Sequence, residues 1–150
     1  MDKEFIDVIP LKGALEIIHY RDGVEIERRE IHNIICNVGI AKVAGLVAGT
    51  ATGGFDYMAT GTGTTAAAAT DTALGTEVMR VATTNSLVTT TVTNDTSQFV
   101  GTFNYTATYA ITEAGIFDAS TAGNLLAHQV FAAVNVVSGD SIQITWKVQA

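Results

Sequence analysis

The sequence predicts an all-β fold, an antiparallel β-sandwich or jelly roll that carries one short helix. Several segments alternate apolar and polar residues with a period of two, which is typical of strands buried on one face. Turn signals rich in Gly, Asn and Asp separate these segments at short intervals. Strands and helical patterns do not alternate along the chain, so a parallel sheet is not expected.

Length and composition indicate one domain that buries part of its surface against other subunits. The 150 residues are enough for one sizeable core. We divide them into an N-terminal arm, residues 1–13, and a single β-sandwich domain, residues 14–150. Charged residues make up 15% of the chain, against about 25% in typical domains. A surface this poor in charge predicts contacts with further subunits.

Charge and targeting signals exclude several classes of partner. The net charge of −7 argues against nucleic acids and anionic membranes, both of which attract basic patches. The N-terminal residues lack the apolar core of a signal peptide, and the longest apolar runs are too short to span a bilayer. The only cysteine, Cys36, allows no intrachain disulfide. We therefore expect synthesis in the cytoplasm and no membrane partner.

Residues 1–13 are predicted to form an extended arm. Pro10 is awkward in a central strand, because it lacks a backbone N–H. The arm carries several apolar side chains, and these are Phe5, Ile6, Val8, Ile9 and Leu11. Such a segment buries little surface by itself, so we expect it to order against a neighbouring protein. The alternative is an ordinary first strand of the sandwich.

The next segments predict a hairpin and then a helix. Asp22-Gly23 supplies the pair of positive φ angles that a two-residue type I′ turn requires, and the pairing that follows places Glu16 opposite Arg29. Residues 37–49 carry the signs of a short helix, with Asn37 as N-cap and Gly49 just past the end.

Seven strands are predicted in the remainder of the chain, at 55–60, 76–84, 87–93, 99–109, 111–117, 125–137 and 141–149. The fourth has the clearest alternation, with an aromatic face that we interpret as core and not as a sugar-stacking surface; its members are Phe99, Phe103, Tyr105 and Tyr109. The fifth is expected to be broken by a bulge near Gly115. In the last, Trp146 shares the inward face with Ile142, Ile144 and Val148.

A glycine-rich stretch after the first of these strands fits the dinucleotide-binding pattern G-x-G-x-x-G/A, through Gly61, Gly63 and Ala66. That fingerprint requires a helix directly after the glycines, and no helical apolar stripe develops there. A P-loop is excluded as well, because no lysine follows the glycines. We interpret the stretch as a structural loop that binds no cofactor.

Three charged residues near this loop are predicted to interact with groups close to them in the sequence. Asp71 is expected to cap a single turn over residues 72–75, and Glu77 to pair with Arg80.

No catalytic or metal-binding set stands out. The histidines, His19, His32 and His128, lack the spacing of zinc ligands and are interpreted as half-buried strand residues. Two of the acids Glu113, Asp118 and Asp140 could form the pair that a glycosidase needs, but acids are common at the turns and the bulge where these residues lie. Serines lack a nucleophile elbow, and Cys36 fits a small buried residue. The sequence predicts no enzyme, no cofactor, no metal and no small-molecule substrate.

Three stretches, taken together, resemble small virion structural proteins of tailed bacteriophages. They are NIICNVGIAKVAGLVAG (33–49), FDYMATGTGTTAAAATDTALGTEVMR (55–80), and YAITEAGIFDASTAGNLLAHQVF followed by SGDSIQITWKV (109–148). The group shares an apolar helix, an aromatic-x-x-x-G-x-G loop, a D-T-x-L-x-x-E segment, an I-T-E-x-G-[IL]-F-D strand and a closing G-D-x-I-x-I-x-W strand. The likeness covers most of the chain from residue 33 onward.

The resemblance implies a role on the virion. The first expectation is a capsid decoration, or cement, protein that is assembled in the host cytoplasm and binds the capsid surface as a homotrimer, with the major capsid protein as partner. The arm's apolar residues are then the candidate contacts with the capsid or the next subunit. The second expectation is a tail-tip, baseplate or fibre-associated module that recognises a host surface, for example through residues 59–75 or 118–124. A glycan hydrolase on a sandwich scaffold is the third.

Overall fold

The computed structural model describes residues 11–150, which form two antiparallel sheets and one helix. The elements, in chain order, are β1 (Lys12–Arg21), β2 (Val24–His32), β3 (Ile34–Ile35), α1 (Asn37–Ala48), β4 (Tyr57–Gly61), β5 (Glu77–Ala82), β6 (Thr84–Val88), β7 (Thr96–Asn104), β8 (Tyr109–Phe117), β9 (Leu125–Val136) and β10 (Ser141–Gln149).

Across residues 11–150 each sheet has five strands, and the two sheets share one core. Sheet A has the order β2-β1-β10-β7-β6, and sheet B has the order β3-β9-β8-β4-β5. Apolar side chains of both sheets meet in a common cluster, for example Ile144 from β10 and Ile116 from β8. The predicted all-β class with one short helix is confirmed, whereas the jelly-roll form of the sandwich stays a prediction.

Strand β10 supplies the centre of this core. Ile142, Ile144 and Trp146 are 0% exposed and Val148 is 6% exposed, so the predicted inward face is confirmed. The indole N–H of Trp146 donates a hydrogen bond of 2.9 Å to the side-chain oxygen of Asn33, which follows β2. The largest core side chain therefore joins the middle of sheet A to the segment that crosses towards sheet B.

Helix α1 packs on the start of β9. Its N-cap is Cys36, with extended φ and ψ of −89° and 146°, and Asn37 is the first helical residue, so the predicted cap was placed one residue too late. At the other end Gly49 has a φ of 74° and closes the helix as predicted. A Cβ at Gly39 would overlap the backbone of Leu126, so glycine permits the close approach of helix and strand.

The hairpin of β1 and β2 forms on the predicted turn but in a different register. Asp22 and Gly23 have φ angles of 52° and 74°, as a type I′ turn requires. A β-bulge lies next to His19, and beyond it the pairing is shifted by one residue. Glu16 consequently lies opposite Glu30, and the expected pairing with Arg29 is wrong.

The strand predicted at 99–109 is interrupted: β7 ends at Asn104, and β8 begins at Tyr109 in the other sheet. Residues 105–108 carry the chain from sheet A to sheet B. Tyr105 is 1% exposed, and its hydroxyl lies 2.8 Å from that of Thr60, so the aromatic alternation continues across the change of sheet. Strand β8 is not broken at Gly115; its pairing with β9 shifts instead near Glu113 and Phe117.

Two further boundaries differ from expectation. The strand predicted at 87–93 ends at Val88, because Asp95 accepts hydrogen bonds from the backbone N–H groups of Thr90, Thr91 and Val92 and holds them in a turn. Strand β1 begins at Lys12, so the last two residues of the predicted arm belong to sheet A.

Most of the predicted arm cannot be compared with the structure. Phe5, Ile6, Val8 and Ile9 lie outside the described residues, and Leu11 is partly buried against the shared core. Within residues 11–150, none of the helical structure is long and apolar enough to cross a membrane.

Truncation of the central indole tests the shared core. We expect Trp146→Ala to lower the free energy of unfolding by about 3–5 kcal/mol, because it removes a large buried side chain and leaves a cavity. Urea unfolding followed by circular dichroism measures the change. Trp146→Phe is the matched control and should lose less, since it keeps an aromatic ring in place. Native tryptophan emission that is red-shifted and readily quenched would contradict the burial of Trp146.

Candidate functional site

A buried polar cluster is built around the carboxylate of Glu113, which is 0% exposed. One oxygen, Oε2, accepts hydrogen bonds from the backbone N–H groups of Gly63 at 2.7 Å and Thr76 at 2.8 Å. The other, Oε1, accepts one from Gly75 N–H at 2.8 Å and lies 3.0 Å from Nε2 of His128. We call residues 62–76, which wrap this carboxylate, the glycine loop.

The sheet explains why Glu113 points into the glycine loop. Glu113, Gly115 and Phe117 alternate along β8 with the core residues Ala114 and Ile116, so they lie on the outer face of sheet B. The glycine loop follows β4, the neighbour of β8, and folds across that face. An acid on this face is therefore covered by loop backbone, which supplies N–H donors.

The two glycines of the G-x-G pattern have a defined physical role. A Cβ on Gly61 would overlap the backbone of Thr76, and one on Gly63 would overlap the Glu113 carboxylate. Glycine at these positions lets backbone approach an anion closely, which is also how such loops bind phosphate. Here the anion is a side chain of the same protein. The interpretation as a structural loop is supported by this geometry.

His128 extends the cluster to a second acid. Its Nδ1 lies 2.7 Å from Oδ2 of Asp71, while its Nε2 faces Glu113. Asp71 also accepts a hydrogen bond of 2.8 Å from the backbone N–H of Ala68, so it caps a turn before itself and not the predicted turn over residues 72–75. The imidazole thus bridges a strand carboxylate and a loop carboxylate.

The surroundings keep both acids ionised. Burial raises the pKa of Glu113, but hydrogen bonds from the backbone of Thr76 and Gly75 and from His128 outweigh it, so the pKa lies below its ordinary 4.5. Burial also raises the pKa of Asp71. Hydrogen bonds from the Ala68 N–H and from His128 outweigh this effect, so the pKa lies below its ordinary 3.8. Both groups are anions at neutral pH.

The cluster is arranged to hold a loop. Both Glu113 oxygens are occupied by donors, and the side chain of Thr112 adds a hydrogen bond of 2.7 Å to the carbonyl oxygen of Gly63. A general acid or base must reach a substrate atom with a free lone pair or proton, and Glu113 could do so only by releasing its loop donors. Its chemistry is that of a buried anchor.

The other two candidate acids, Asp140 and Asp118, lie in separate hydrogen-bond networks. Asp140 accepts two hydrogen bonds from Arg21, at 3.1 and 2.9 Å, and lies 2.8 Å from His19. The guanidinium of Arg21 holds the pKa of Asp140 well below its usual range. Asp118 pairs with Lys42 at 2.7 Å, so it joins α1 to the turn after β8. The three acids do not form a glycosidase pair.

Arg80 of β5 also contacts the turn after β8, residues 118–124, to which Lys42 of α1 is bound through Asp118. It forms the predicted pair with Glu77, at 2.6 Å, which is confirmed. Its Nη1 also donates to the carbonyl oxygens of Ala119 and Ala122, both at 2.8 Å, and its guanidinium lies 3.7 Å above the ring of Phe117. One arginine therefore fixes the turn to sheet B.

The remaining candidates are accounted for by packing. The three histidines lie in strands as predicted, although His19 and His128 are more deeply buried than expected and His32 is exposed. Among residues 11–150, no group of three or more His, Cys, Asp or Glu side chains has a geometry suited to a metal ion. Cys36 is 0% exposed, and burial raises the pKa of its thiol to about 11.

The aromatic face predicted from the sequence is part of the core. Phe99, Phe103 and Tyr105 are at most 5% exposed, and Tyr109 packs partly buried against them, with its ring 6.1 Å from that of Tyr105. The interpretation as core packing is confirmed.

A second feature of the surface is an open apolar groove of about 490 Å³ between α1 and one end of sheet A. Its walls come mainly from aliphatic and aromatic residues, and the apolar side chains are those of Leu11, Val43, Leu46, Phe55, Leu87, Phe99, Leu126, Val148 and Ala150. Leu87 remains 60% exposed although it lines this groove. We call this feature the apolar groove.

Known proteins provide no family for the chain. It matches no protein-family model, no curated protein and no solved structure.

Glu113→Gln tests the anchor. The amide replaces one acceptor oxygen by a donor that faces backbone N–H groups, so we expect the free energy of unfolding to fall by about 3 kcal/mol at pH 7. Part of that difference should disappear in acid. A carboxyl with a lowered pKa stabilises the fold above its ordinary pKa of 4.5, and this contribution is lost as the pH falls through the folded value. Denaturant unfolding between pH 7 and pH 3 measures both effects.

Glu77→Gln is the matched control for that experiment. Glu77 is partly exposed and pairs with Arg80 at the surface, so its loss should lower stability by under about 1 kcal/mol. If both variants lose the same free energy of unfolding, Glu113 stabilises the fold no more than a surface ion pair does.

An added carboxylate should restore a variant that lacks the anchor. Glu113→Ala leaves three backbone donors and His128 facing a space where the carboxylate was. We expect sodium formate to raise the Tm of this variant by several degrees above its value in sodium chloride of equal ionic strength, because formate can accept the same hydrogen bonds. Thermal scans of the wild type should show no such difference. A variant that responds identically to both salts would rule out an anion-binding cradle.

Proposed function

We propose that the protein is a capsid decoration protein of a tailed bacteriophage, bound to the outer surface of the shell. The proposal starts from the resemblance of residues 33–148 to small virion structural proteins. It is supported by a surface that has few charges and several large apolar side chains. A protein that covers a shell needs such a surface, because it must bury neutral area against its neighbours.

Exposed apolar residues are the observation that carries the proposal. On α1, Val47 is 86% exposed and Ile40 is 48% exposed; on sheet A, Leu87 is 60% exposed and Val24 is 62% exposed. Scattered apolar residues are normal on a monomer, but Leu87 adjoins the apolar groove, so apolar area is contiguous there. We infer that this part of the surface is covered in the assembled state.

In the proposed assembly, the chain forms homotrimers that clamp adjacent subunits of the major capsid protein. The predicted arm contacts, Phe5, Ile6, Val8, Ile9 and Leu11, belong to this proposal. The protein acts as a binding component and not as an enzyme, since the acids that could have formed a catalytic pair, Glu113, Asp118 and Asp140, each hold a different structural segment.

A second function, recognition of a host surface by a tail-tip, baseplate or fibre-associated module, is favoured by one observation. The glycine loop and residues 118–124 have little regular structure, yet Glu113 and Arg80 hold them firmly. Loops that are fixed on a rigid scaffold are common binding surfaces. This alternative predicts few copies of the protein in each virion and binding to glycans.

The number of copies per particle tests the proposal. We expect several hundred copies in each purified virion of the phage that encodes the chain, measured by quantitative mass spectrometry against the major capsid protein. A handful of copies would overturn capsid decoration, and binding on a glycan array would then support the host-recognition module. Light scattering of the isolated protein is expected to give the mass of a trimer.

A further inference from the structure

A lysine, an aspartate and an asparagine meet where α1 contacts the turn after β8. Nζ of Lys42 lies 2.7 Å from Oδ2 of Asp118, and the side-chain N–H of Asn124 donates to the same oxygen at 2.9 Å. The backbone N–H of Asn124 donates to the other oxygen, Oδ1, at 2.6 Å. One carboxylate therefore holds an amine and a primary amide next to each other.

The lysine and the aspartate are largely removed from water. The side chain of Lys42 is 11% exposed and that of Asp118 is 8% exposed. The ring of Phe55, a buried residue, has its centre 5.3 Å from Nζ of Lys42. Burial penalises both charges, and a proton transfer from Lys42 to Asp118 removes both of them. A desolvated lysine without its charge is a nucleophile.

The amide is held beside this amine by the structure of the turn. The backbone N–H of Asp118 donates to the carbonyl oxygen of Asn124 at 3.3 Å, which closes the turn, and Arg80 donates to two further carbonyl oxygens within it. Lys42 lies in the middle of α1, so its backbone is fixed as well. Positioning of this kind raises the effective concentration of two reacting groups. Asn124 is exposed, which gives a small leaving group a path to solvent.

We propose that Lys42 and Asn124 become joined by an isopeptide bond that the protein forms without another enzyme, with Asp118 as the catalytic residue. Lys42 gives one proton to Asp118, and its neutral Nζ attacks Cγ of Asn124. Asp118 passes that proton to Nδ2 and takes the second proton that Nζ loses. The Nζ–Cγ bond forms, the Cγ–Nδ2 bond breaks, and the released ammonia takes the second proton and departs as ammonium. Asp118 is a carboxylate again, and nothing is oxidised or reduced.

The reaction takes place once in each molecule, so it does not require a large population of the neutral pair. Burial raises the pKa of Asp118, but hydrogen bonds from Lys42 and Asn124 outweigh it, so the pKa lies below its ordinary 3.8 and the ion pair predominates. A slow reaction is sufficient, because the amide bond persists once it has formed. The bond ties α1 to the turn after β8 and restricts the unfolded chain as a disulfide does, in a protein whose single cysteine allows no intrachain disulfide.

Mass spectrometry of the isolated full-length protein tests this inference, which does not depend on the proposed function. We expect the intact wild-type chain to be lighter than its sequence mass by one molecule of ammonia. Trypsin should fail to cleave after Lys42, and the peptide that contains Lys42 should be linked to the peptide that contains Asn124. An intact mass equal to the sequence mass would overturn the proposal. Loss of one water would overturn it too, since Asp118 would then be the group joined to Lys42.

Substitutions assign the role of each residue. Lys42→Arg removes the nucleophile and keeps the positive charge, Asn124→Ala removes the amide, and Asp118→Ala removes the proton carrier, so each variant should have its full sequence mass. Loss of ammonia that persists in Lys42→Arg would come from another reaction, such as cyclisation of an asparagine, and the proposal would be wrong.

Glu77→Gln is the matched control, because it breaks the ion pair of Arg80 beside the same turn and leaves the three reacting residues intact. This variant should lose ammonia as the wild type does. The wild-type mass and peptide map decide the proposal even if Asp118→Ala does not fold.

Discussion

The outer layer of this protein depends on one buried anion, the carboxylate of Glu113. A buried charge is strongly unfavourable unless hydrogen bonds compensate it, and here the donors come from Gly63, Gly75 and Thr76 in the glycine loop. The loop has little secondary structure of its own, so its position over sheet B is set by this anion. Leu74 is thereby placed against Gly115, where it covers the outer face of the sheet.

The same device recurs in other parts of the fold. Asp140 joins the end of β1 to the turn before β10 through Arg21 and His19, and Asp118 joins α1 to the turn after β8 through Lys42. In a chain with only 15% charged residues, many of the charges hold internal connections. The exterior is left comparatively neutral as a consequence, and this leaves apolar side chains such as Val47 and Leu87 at the surface.

A neutral exterior on a firmly braced scaffold suits a protein whose task is to bind other proteins. Braced loops lose little conformational entropy on association, which lowers the free-energy penalty of forming an interface. The apolar groove adds a recess with mainly apolar walls to this exterior. These properties agree with the virion role that we propose from the resemblance to phage structural proteins.

The sequence by itself determined the features that depend on neighbouring residues. Alternation placed Trp146 in the core, Asp22-Gly23 specified the hairpin turn, and Gly49 ended the helix, because side-chain direction and backbone φ are local properties. It also predicted a structural loop at the G-x-G stretch, because no helical apolar stripe follows the glycines. It did not reveal why the glycines are there.

Only the tertiary structure decided which distant residues meet. Glu113 lies 50 residues from Gly63 and 15 from His128, and their contacts exist only because β4, β8 and β9 pair side by side. The change of sheet at residues 105–108 was hidden for a related reason: Tyr109 and Ile111 at the start of β8 continue the alternation of Phe103 in β7 and pack into the same core, so the pattern persists while the chain crosses. Strand pairing is a long-range choice, and a local pattern does not contain it.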